Sequence, residues 1–431
     1  MLTTKYVRDN LEAIKESLKR RKSDYPLGEL LGIDEKWRKL KTETQELQAK
    51  RNKESIEISE LKKQGKKIDT KIKSIAKIKD GISKAEKELS EYEQRIEELL
   101  WNMPNILSKD VPIGEPPGAN KVIRKWGRIK TKNKTNHEDA LIKLGLLDIE
   151  RASKTAGARF YYLRGDLVLL EQSVLRFALD ELSKKGYTPI LPPFMLRKKY
   201  YKGVAPFSVF EDALYQVSES SEASKNKDIE RIEDSLFLIS TAEHALAAMH
   251  ADEVLAASDL PLKYAGISPC FRREAGAHGK DTKGIFRVHQ FDKVEQFIYA
   301  KQEDDDKYFN ELLTNSEDFL KKLEIPYQAV LLCSGDTGHQ MSKTIDLEAY
   351  FPSQDAYREL ASCSSATDWQ STRLNIRYDE KGERKYVYTI NNTAISAQRT
   401  LVAIVENYLN DDGTITVPKV LVPYMGRSKI E

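Results

Sequence analysis

The chain has 431 residues, enough for two or three domains and a large core, and its 70 Lys and Arg against 67 Asp and Glu leave a net charge of only +3. That balance excludes a molecule that is a polycation throughout, so any nucleic-acid contact must come from local clustering of charge. No apolar run approaches the roughly 18 residues of a membrane span. The first 22 residues are too polar for a secretory signal and carry Asp9, Glu12 and Glu16 against a transit peptide, while Cys270, Cys333 and Cys363 give no disulfide framework and fit a reducing cytoplasm.

In chain order, the first predicted element is a long helical hairpin over about 28–102. Ile33, Trp37, Leu40, Thr44, Leu47, Arg51, Glu54, Ile58 and Leu61 follow steps of three and four with polar interruptions. Ile75, Ile78, Ile82, Ala85, Leu89, Tyr92, Ile96 and Leu99 repeat the rhythm, and Gln64, Gly65 and Lys66 form the turn between the two runs. The pattern predicts an antiparallel two-helix coiled coil, each helix roughly 45 Å long, expected to project from the body. Between 50 and 87 basic residues outnumber acidic ones about two to one, whereas 86–98 is acidic. Charge on a coiled coil also serves simply to solvate it. Its segregation toward the tip favours contact with a nucleic-acid backbone, with Lys62, Lys66 and Lys71 as candidates.

Met103, Pro104 and Asn105 end the hairpin, and 111–150, rich in Pro, Gly and Lys up to 136, reads as a linker. From about 151 the pattern is α+β: an apolar-periodic helix over 167–185, a Ser-, Lys- and Glu-rich loop over 217–234, strands from 236 onward and a helix over 395–409. The expected domains are therefore a helical arm (1–110), a linker (111–150) and a body (151–431).

Two segments of that body carry chemistry. Written as a strand, 284–295 places Arg287, His289, Phe291, Lys293 and Glu295 on one face, and Arg272 and Glu274 share a face in the same way. A core-facing strand would be apolar there. Joined through 276–284, the two strands form an antiparallel hairpin with a polar face. Arginines suit phosphate oxygens, an aromatic suits a base and a carboxylate suits an ammonium, so the face predicts a nucleotide and an amine held side by side. Taken singly, Arg272 also suits a salt bridge to Glu274, and Phe291 also suits core packing. His244 and His250, six apart, have no zinc-ligand pattern around them.

Gly186–Tyr187, Ile190, Pro193, Phe194 and Met195 resemble motif 1 of the class II aminoacyl-tRNA synthetases. Phe271, Arg272 and Glu274 with Arg287 and Phe291 resemble motif 2, and Asn391, Thr393 and Arg399 resemble motif 3. With Thr241–Ala242–Glu243, Lys293–Val294–Glu295 and the helical hairpin, nearly the whole chain is similar to the seryl-tRNA synthetase family. The resemblance implies an antiparallel class II sheet with flanking helices and a tRNA-binding arm. It further implies a cytoplasmic homodimer joined through motif 1, with Pro193 at the interface.

The activity it implies is formation of seryl-adenylate from L-serine and ATP, then transfer to tRNA(Ser), with tRNA(Sec) as a further candidate. Arg272 and Arg399 are the implied catalytic groups. ATP would meet Arg272, Glu274, Arg287, Val288, Phe291, Glu359, Ser362 and Arg399. Serine would meet Thr241, Glu243, Arg272, Glu295, Asn391 and Thr393. Mg2+ would meet Glu359 and Ser362, with no zinc. A site that hydrogen-bonds a hydroxyl rejects analogues lacking one, and two carboxylates with two threonines suit one ammonium and one hydroxyl; which carboxylate reads which group stays open. Asp346 and Glu348 pair on one strand face, where either a structural role or support of a metal is available. The stretch 394–398 lacks the glycines that many family members carry. A non-catalytic tRNA-binding relative and another class II amino-acid ligase are the alternatives.

Overall fold

The computed structural model describes residues 3–65, 67–129, 133–207, 211–217, 235–274 and 284–431. It divides into two compact units, Met1–Pro104 and Asn105–Glu431.

The first unit consists of α1 (Thr4–Asp9), α2 (Leu11–Arg20), α3 (Leu27–Lys63) and α4 (Asp69–Trp101). At 37 and 33 residues, α3 and α4 reach about 50–55 Å. They run antiparallel, tied by Arg95 to Glu29 (2.7 Å), Trp37 to Glu93 (3.0 Å) and Gln48 to Glu86 (3.3 Å). The predicted stripe of α4 is buried at Ile78, Ile82, Ala85 and Leu99, whereas α3 buries only Leu30, Asp34 and Thr44. This seam is thin and partly polar: Asp34 is 1% exposed and accepts from Arg8 and Arg38 at 2.5 and 3.0 Å. A buried carboxylate is tolerable only when so paired. Lys62 is exposed, Lys71 bonds the Glu57 carboxylate, and Lys66 lies outside the described residues.

The second unit is built on an eight-stranded sheet of β1 (Lys121–Trp126), β2 (Thr188–Ile190), β3 (Leu262–Phe271), β4 (Gln290–Ala300), β5 (Tyr327–Leu331), β6 (Lys343–Phe351), β7 (Ala356–Thr367) and β8 (Tyr388–Ser396). The order is β1-β5-β6-β7-β8-β4-β3-β2, antiparallel except where β2 runs parallel to β3. The stretch 111–150, expected as a linker, supplies the edge strand β1, with Lys121 opposite Leu331, and a helix over His137–Lys143. Pro and Gly crowd the flanks of β1, and they dominated the composition while the β-prone Val122, Ile123 and Trp126 between them paired. Much of the predicted 217–234 loop, residues 218–234, lies outside the described residues.

Alternation along β4 separates two cores. Val294, Ile298 and Ala300 join α5 (Asp166–Lys184) and α9 (Ala397–Tyr408) on one face; Phe297 and Tyr299 join α6 (Ala242–Ala248) and α8 (Trp369–Leu374) on the other. A further helix, α7 (Asp305–Lys322), packs Phe309 and Leu312 into the first core. Phe291, Lys293 and Glu295 share the face of Phe297 and Tyr299. The predicted 284–295 strand begins only at Gln290. Gly284, at φ +63, sits where a Cβ would fall 2.1 Å from His137 Nε2, the Ile285 N–H donates to that nitrogen at 3.2 Å, and residues 284–287 turn, so Arg287 and His289 are not on the strand. Arg272 and Glu274 likewise follow the end of β3, and the intervening 275–283 lies outside the described residues.

Candidate active site

Two β-bulges set the site. In a regular strand residues three apart face opposite ways. Glu295 opposes Thr393 while Lys293 opposes Ser396, so the extra residue in β8 turns Thr393 and Ser396 to one face. In the same way Glu348 opposes Glu359 and Asp346 opposes Ser362, so the extra residue in β7 puts Glu359 and Ser362 on one face.

On this frame lies an open cleft lined by Arg272, Glu274, Phe286, Arg287, Val288, Phe291, Lys293, Glu359, Leu360, Thr393, Ser396, Gln398 and Arg399. Arg272 donates through Nε to the Ser240 carbonyl (3.3 Å), and its guanidinium lies 5.1 Å from the Phe291 ring centre. Beyond the strand end the ladder continues: the Arg272 N–H donates to the His289 carbonyl at 2.9 Å, and His289 Nδ1 meets the Arg272 carbonyl at 2.8 Å. His289 thus holds the turn. Glu274, at φ 47, faces the Arg287 guanidinium at 3.5 Å. Arg399, three residues past Ser396 at the end of β8 and near the start of α9, contacts the Glu359 carboxylate at 3.2 Å and lies 5.0 Å over the Phe286 ring. Arg399 holds the Glu359 carboxylate below its usual range.

A second, more enclosed group lies at Glu295. Thr241 caps α6, accepting from the Glu243 N–H at 3.2 Å, and Glu243 accepts from Gln370 at 3.0 Å. Glu295 pairs with the Lys293 ammonium at 2.5 Å and accepts from Thr393 at 3.4 Å. Burial, with Glu295 nearby, pushes the Glu243 carboxyl up to about 7; burial also raises Glu295, against which Lys293 pulls down. Two carboxyls in one dry chamber are thus short of one positive charge. Asn391 lies on the strand face of Thr393, buried, and its Nδ2 has no partner among the described residues.

The approach of α6 depends on Gly266, opposite Glu295 on β3. A Cβ there would sit 2.8 Å from Leu246 Cδ1 and 3.1 Å from Ala242 Cβ. Gly266→Val should push α6 outward, raise the KM of the amine substrate about tenfold, and lower stability by about 1–3 kcal/mol. Steady-state kinetics and thermal unfolding check this; an unchanged KM would remove Gly266 from the account.

Glu359 and Ser362 present hard oxygens beside the cleft. Asp346, opposite Ser362, is half-buried, its buried Oδ1 has no partner among the described residues, and burial and then Glu359 raise its carboxyl. This donor set fits a magnesium ion. Pro193 is exposed in the turn between Thr188–Ile190 and Met195–Arg197.

The cleft thus brings together Arg272, Glu274, Arg287, Val288, Phe291, Glu359, Thr393 and Arg399, and Thr241, Glu243 and Glu295 gather at the Lys293 pair. Sequence reasoning left four residues without a role: Lys293, Phe286, Gln370 and Gln398. Lys293 was visible on the polar face of β4. Phe286 lies in the same 284–295 segment, off the polar face, while Gln370 and Gln398 carry no local signal of chemistry.

The family model "Seryl-tRNA synthetase N-terminal domain" matches residues 1–107, and "tRNA synthetase class II core domain (G, H, P, S and T)" matches 221–408. Over its whole length the chain is 43% identical to the serine–tRNA ligase of Thermococcus sibiricus, covering 97% of that protein. It is 42% identical to that of Nitrosopumilus maritimus, covering all of both. The crystal structure of seryl-tRNA synthetase from Pyrococcus horikoshii complexed with ATP superposes with a TM-score of 0.93 at 41% identity, over 100% of this chain and 99% of that one.

Proposed function

This chain belongs to the seryl-tRNA synthetase family, and on that premise we propose that it activates L-serine with ATP and transfers the seryl group to tRNA(Ser). The observation that carries the reading is the junction of two environments. A cleft with three guanidiniums, those of Arg272, Arg287 and Arg399, opens beside the chamber of Glu243 and Glu295.

In this reading Phe291 stacks on the adenine and Glu274 meets its edge, while Arg287 and Arg399 take the outer phosphates. Arg272, between the two environments, neutralises the α-phosphate and the serine carboxylate as they approach. A serine carboxylate oxygen attacks the α-phosphorus, the bond to the bridging oxygen breaks, and pyrophosphate leaves. A ribose hydroxyl of tRNA then attacks the carbonyl carbon of the seryl-adenylate and AMP leaves. Neither step needs a protein nucleophile; the protein supplies alignment and charge. Glu359 and Ser362 are the residues that would hold Mg2+, whose bound charge offsets that of the phosphates. The serine ammonium supplies the positive charge that Glu243 and Glu295 lack, and Thr241 and Thr393 are placed to read the hydroxyl. Lys62 and Lys71 of the arm are offered to the tRNA backbone.

The same reading makes the protein a cytoplasmic homodimer. Leu191, 73% exposed, follows the edge strand β2 and with Pro193 offers an uncovered apolar surface of the kind a partner copy covers.

ATP–pyrophosphate exchange with serine, threonine, alanine and proline tests the substrate. Serine alone should support rapid exchange. Alanine or threonine serving equally well would refute the hydroxyl-reading chamber.

A further inference from the structure

Behind the cleft, one side chain ties together three segments that converge on the nucleotide. Gln398 is 1% exposed and is the second residue of α9, directly before Arg399. Its Oε1 accepts from the Asp292 N–H at 2.8 Å. The pairing of β8 with β4 ends at Ser396 opposite Lys293, where β8 turns into α9. The next N–H of β4, that of Asp292, therefore has no strand acceptor on this side, and the Gln398 amide replaces it. The Gln398 Nε2 donates to Glu171 Oε1 on α5. The Tyr161 hydroxyl lies beside this amide. A glycine or alanine at 398 could make none of these bonds.

The Glu171 partner is itself unusual. It is 7% exposed and faces a second carboxyl, that of Asp292, whose charge helps raise its own. Two carboxyls can share a hydrogen bond only while one of them holds a proton. The titratable groups facing Glu171 are Asp292 from β4 and Tyr161 from the segment ahead of α5, while Gln398 from α9 is neutral.

We propose that Gln398 is a positioning residue for Arg399, and that its hold depends on a single proton shared by Glu171 and Asp292. With the proton present, Glu171 donates to Asp292 and accepts from Gln398, so α5, β4 and the start of α9 are locked and the Arg399 guanidinium is aimed over Phe286 into the cleft. With the proton lost, two like charges sit in one buried site. Repulsion separates them, Gln398 loses one anchor, and the first turn of α9 moves. Burial and then Asp292 push the Glu171 carboxyl up to about 7, and burial also raises Asp292. The sign follows: for a carboxyl raised in this way the protonated, locked form prevails below about pH 7 and is lost above it.

The inference rests on the reading of Arg399 as a ligand of ATP. The test is ATP–pyrophosphate exchange on the full-length enzyme between pH 6 and 8.5, with the KM for ATP and for serine measured separately for wild type, Glu171→Gln and Gln398→Ala. Wild type should show a KM for ATP that rises roughly tenfold as pH increases through about 7, the cost of one misplaced charge-assisted hydrogen bond, with little change in the KM for serine. Glu171→Gln, close to isosteric and able to donate to Asp292 at every pH, should keep the low KM for ATP throughout. Gln398→Ala should have the raised value throughout. Titration of ATP itself is common to all three proteins, so the step that Glu171→Gln removes is the one that counts. A wild-type step that survives in Glu171→Gln, or a Gln398→Ala enzyme with wild-type KM for ATP, overturns the proposal. Failure of the wild type to exchange with serine at any pH would instead refute the activity on which it rests.

Discussion

Arg272→Ala will reduce ATP–pyrophosphate exchange by roughly 10²-fold or more, a loss of about 3 kcal/mol or more in transition-state stabilisation. The protein will remain folded. The Arg272 side chain is half-buried in the cleft, and among the described residues it makes one long bond to the Ser240 carbonyl and lies over the face of Phe291. None of these holds the core, which lies in the apolar clusters on either side of the sheet. In the proposed mechanism this guanidinium is the group nearest both the attacking carboxylate and the α-phosphate, so its removal leaves two anions to approach each other without compensation. Single-turnover adenylate formation measured beside a thermal unfolding curve separates the two effects. Exchange within a few-fold of wild type in a folded variant would move the charge stabilisation to Arg287, Arg399 and Lys293.

Removal of residues 49–87 should leave exchange with serine largely intact and cost tRNA aminoacylation at least 10²-fold in kcat/KM, a further effect of about 3 kcal/mol or more. The deletion is geometrically mild within the arm. Gln48 on α3 bonds Glu86 on α4, so a short turn can join the helices at that level. The proposed site draws on residues 240–399, none of which is deleted. The deletion removes a segment in which basic residues outnumber acidic ones about two to one. Contacts between lysines and phosphates release counterions, so tRNA binding by the intact enzyme should weaken steeply with salt. Lys62→Ala should flatten that dependence by roughly one unit of slope or less. Lys71 should contribute less, because its ammonium already bonds Glu57. Unchanged tRNA affinity in the deleted enzyme would reduce the basic segment to a solvated spacer.

Much of this molecule could be read from local pattern. The three-and-four rhythm of the hairpin produced α3 and α4, because one stripe of apolar residues at helical spacing has one way to be buried. The apolar run ending near Lys185 produced α5. The polar alternation along β4 marked Phe291, Lys293 and Glu295 as a face unlike a core, Arg272 shared a polar face in the same way, and Thr393 and Arg399 entered through the resemblance to motif 3. Where the reading failed, longer-range forces decided. The edge strand β1 was hidden because its neighbours are Pro- and Gly-rich, and because only β5, some 200 residues later, gives it a ladder. The strand carrying Arg287 was overextended because the tight packing of Gly284 on His137 is a contact between distant segments.

What the sequence by itself determined is the set of chemical groups and the two periodicities that sort them, since helix and strand spacing are local properties of the backbone. Only the tertiary structure decided how those groups meet. Two bulges turn Glu359 with Ser362, and Thr393 with Ser396, onto shared faces, against the alternation a strand would impose. Gly266 lets α6 approach closely enough to set Glu243 near Glu295. Gln398, a residue without a local signal, joins α5, β4 and α9 through one amide. In each case the deciding energy is a close approach or a buried hydrogen bond between segments far apart in the chain, which no window along the sequence contains.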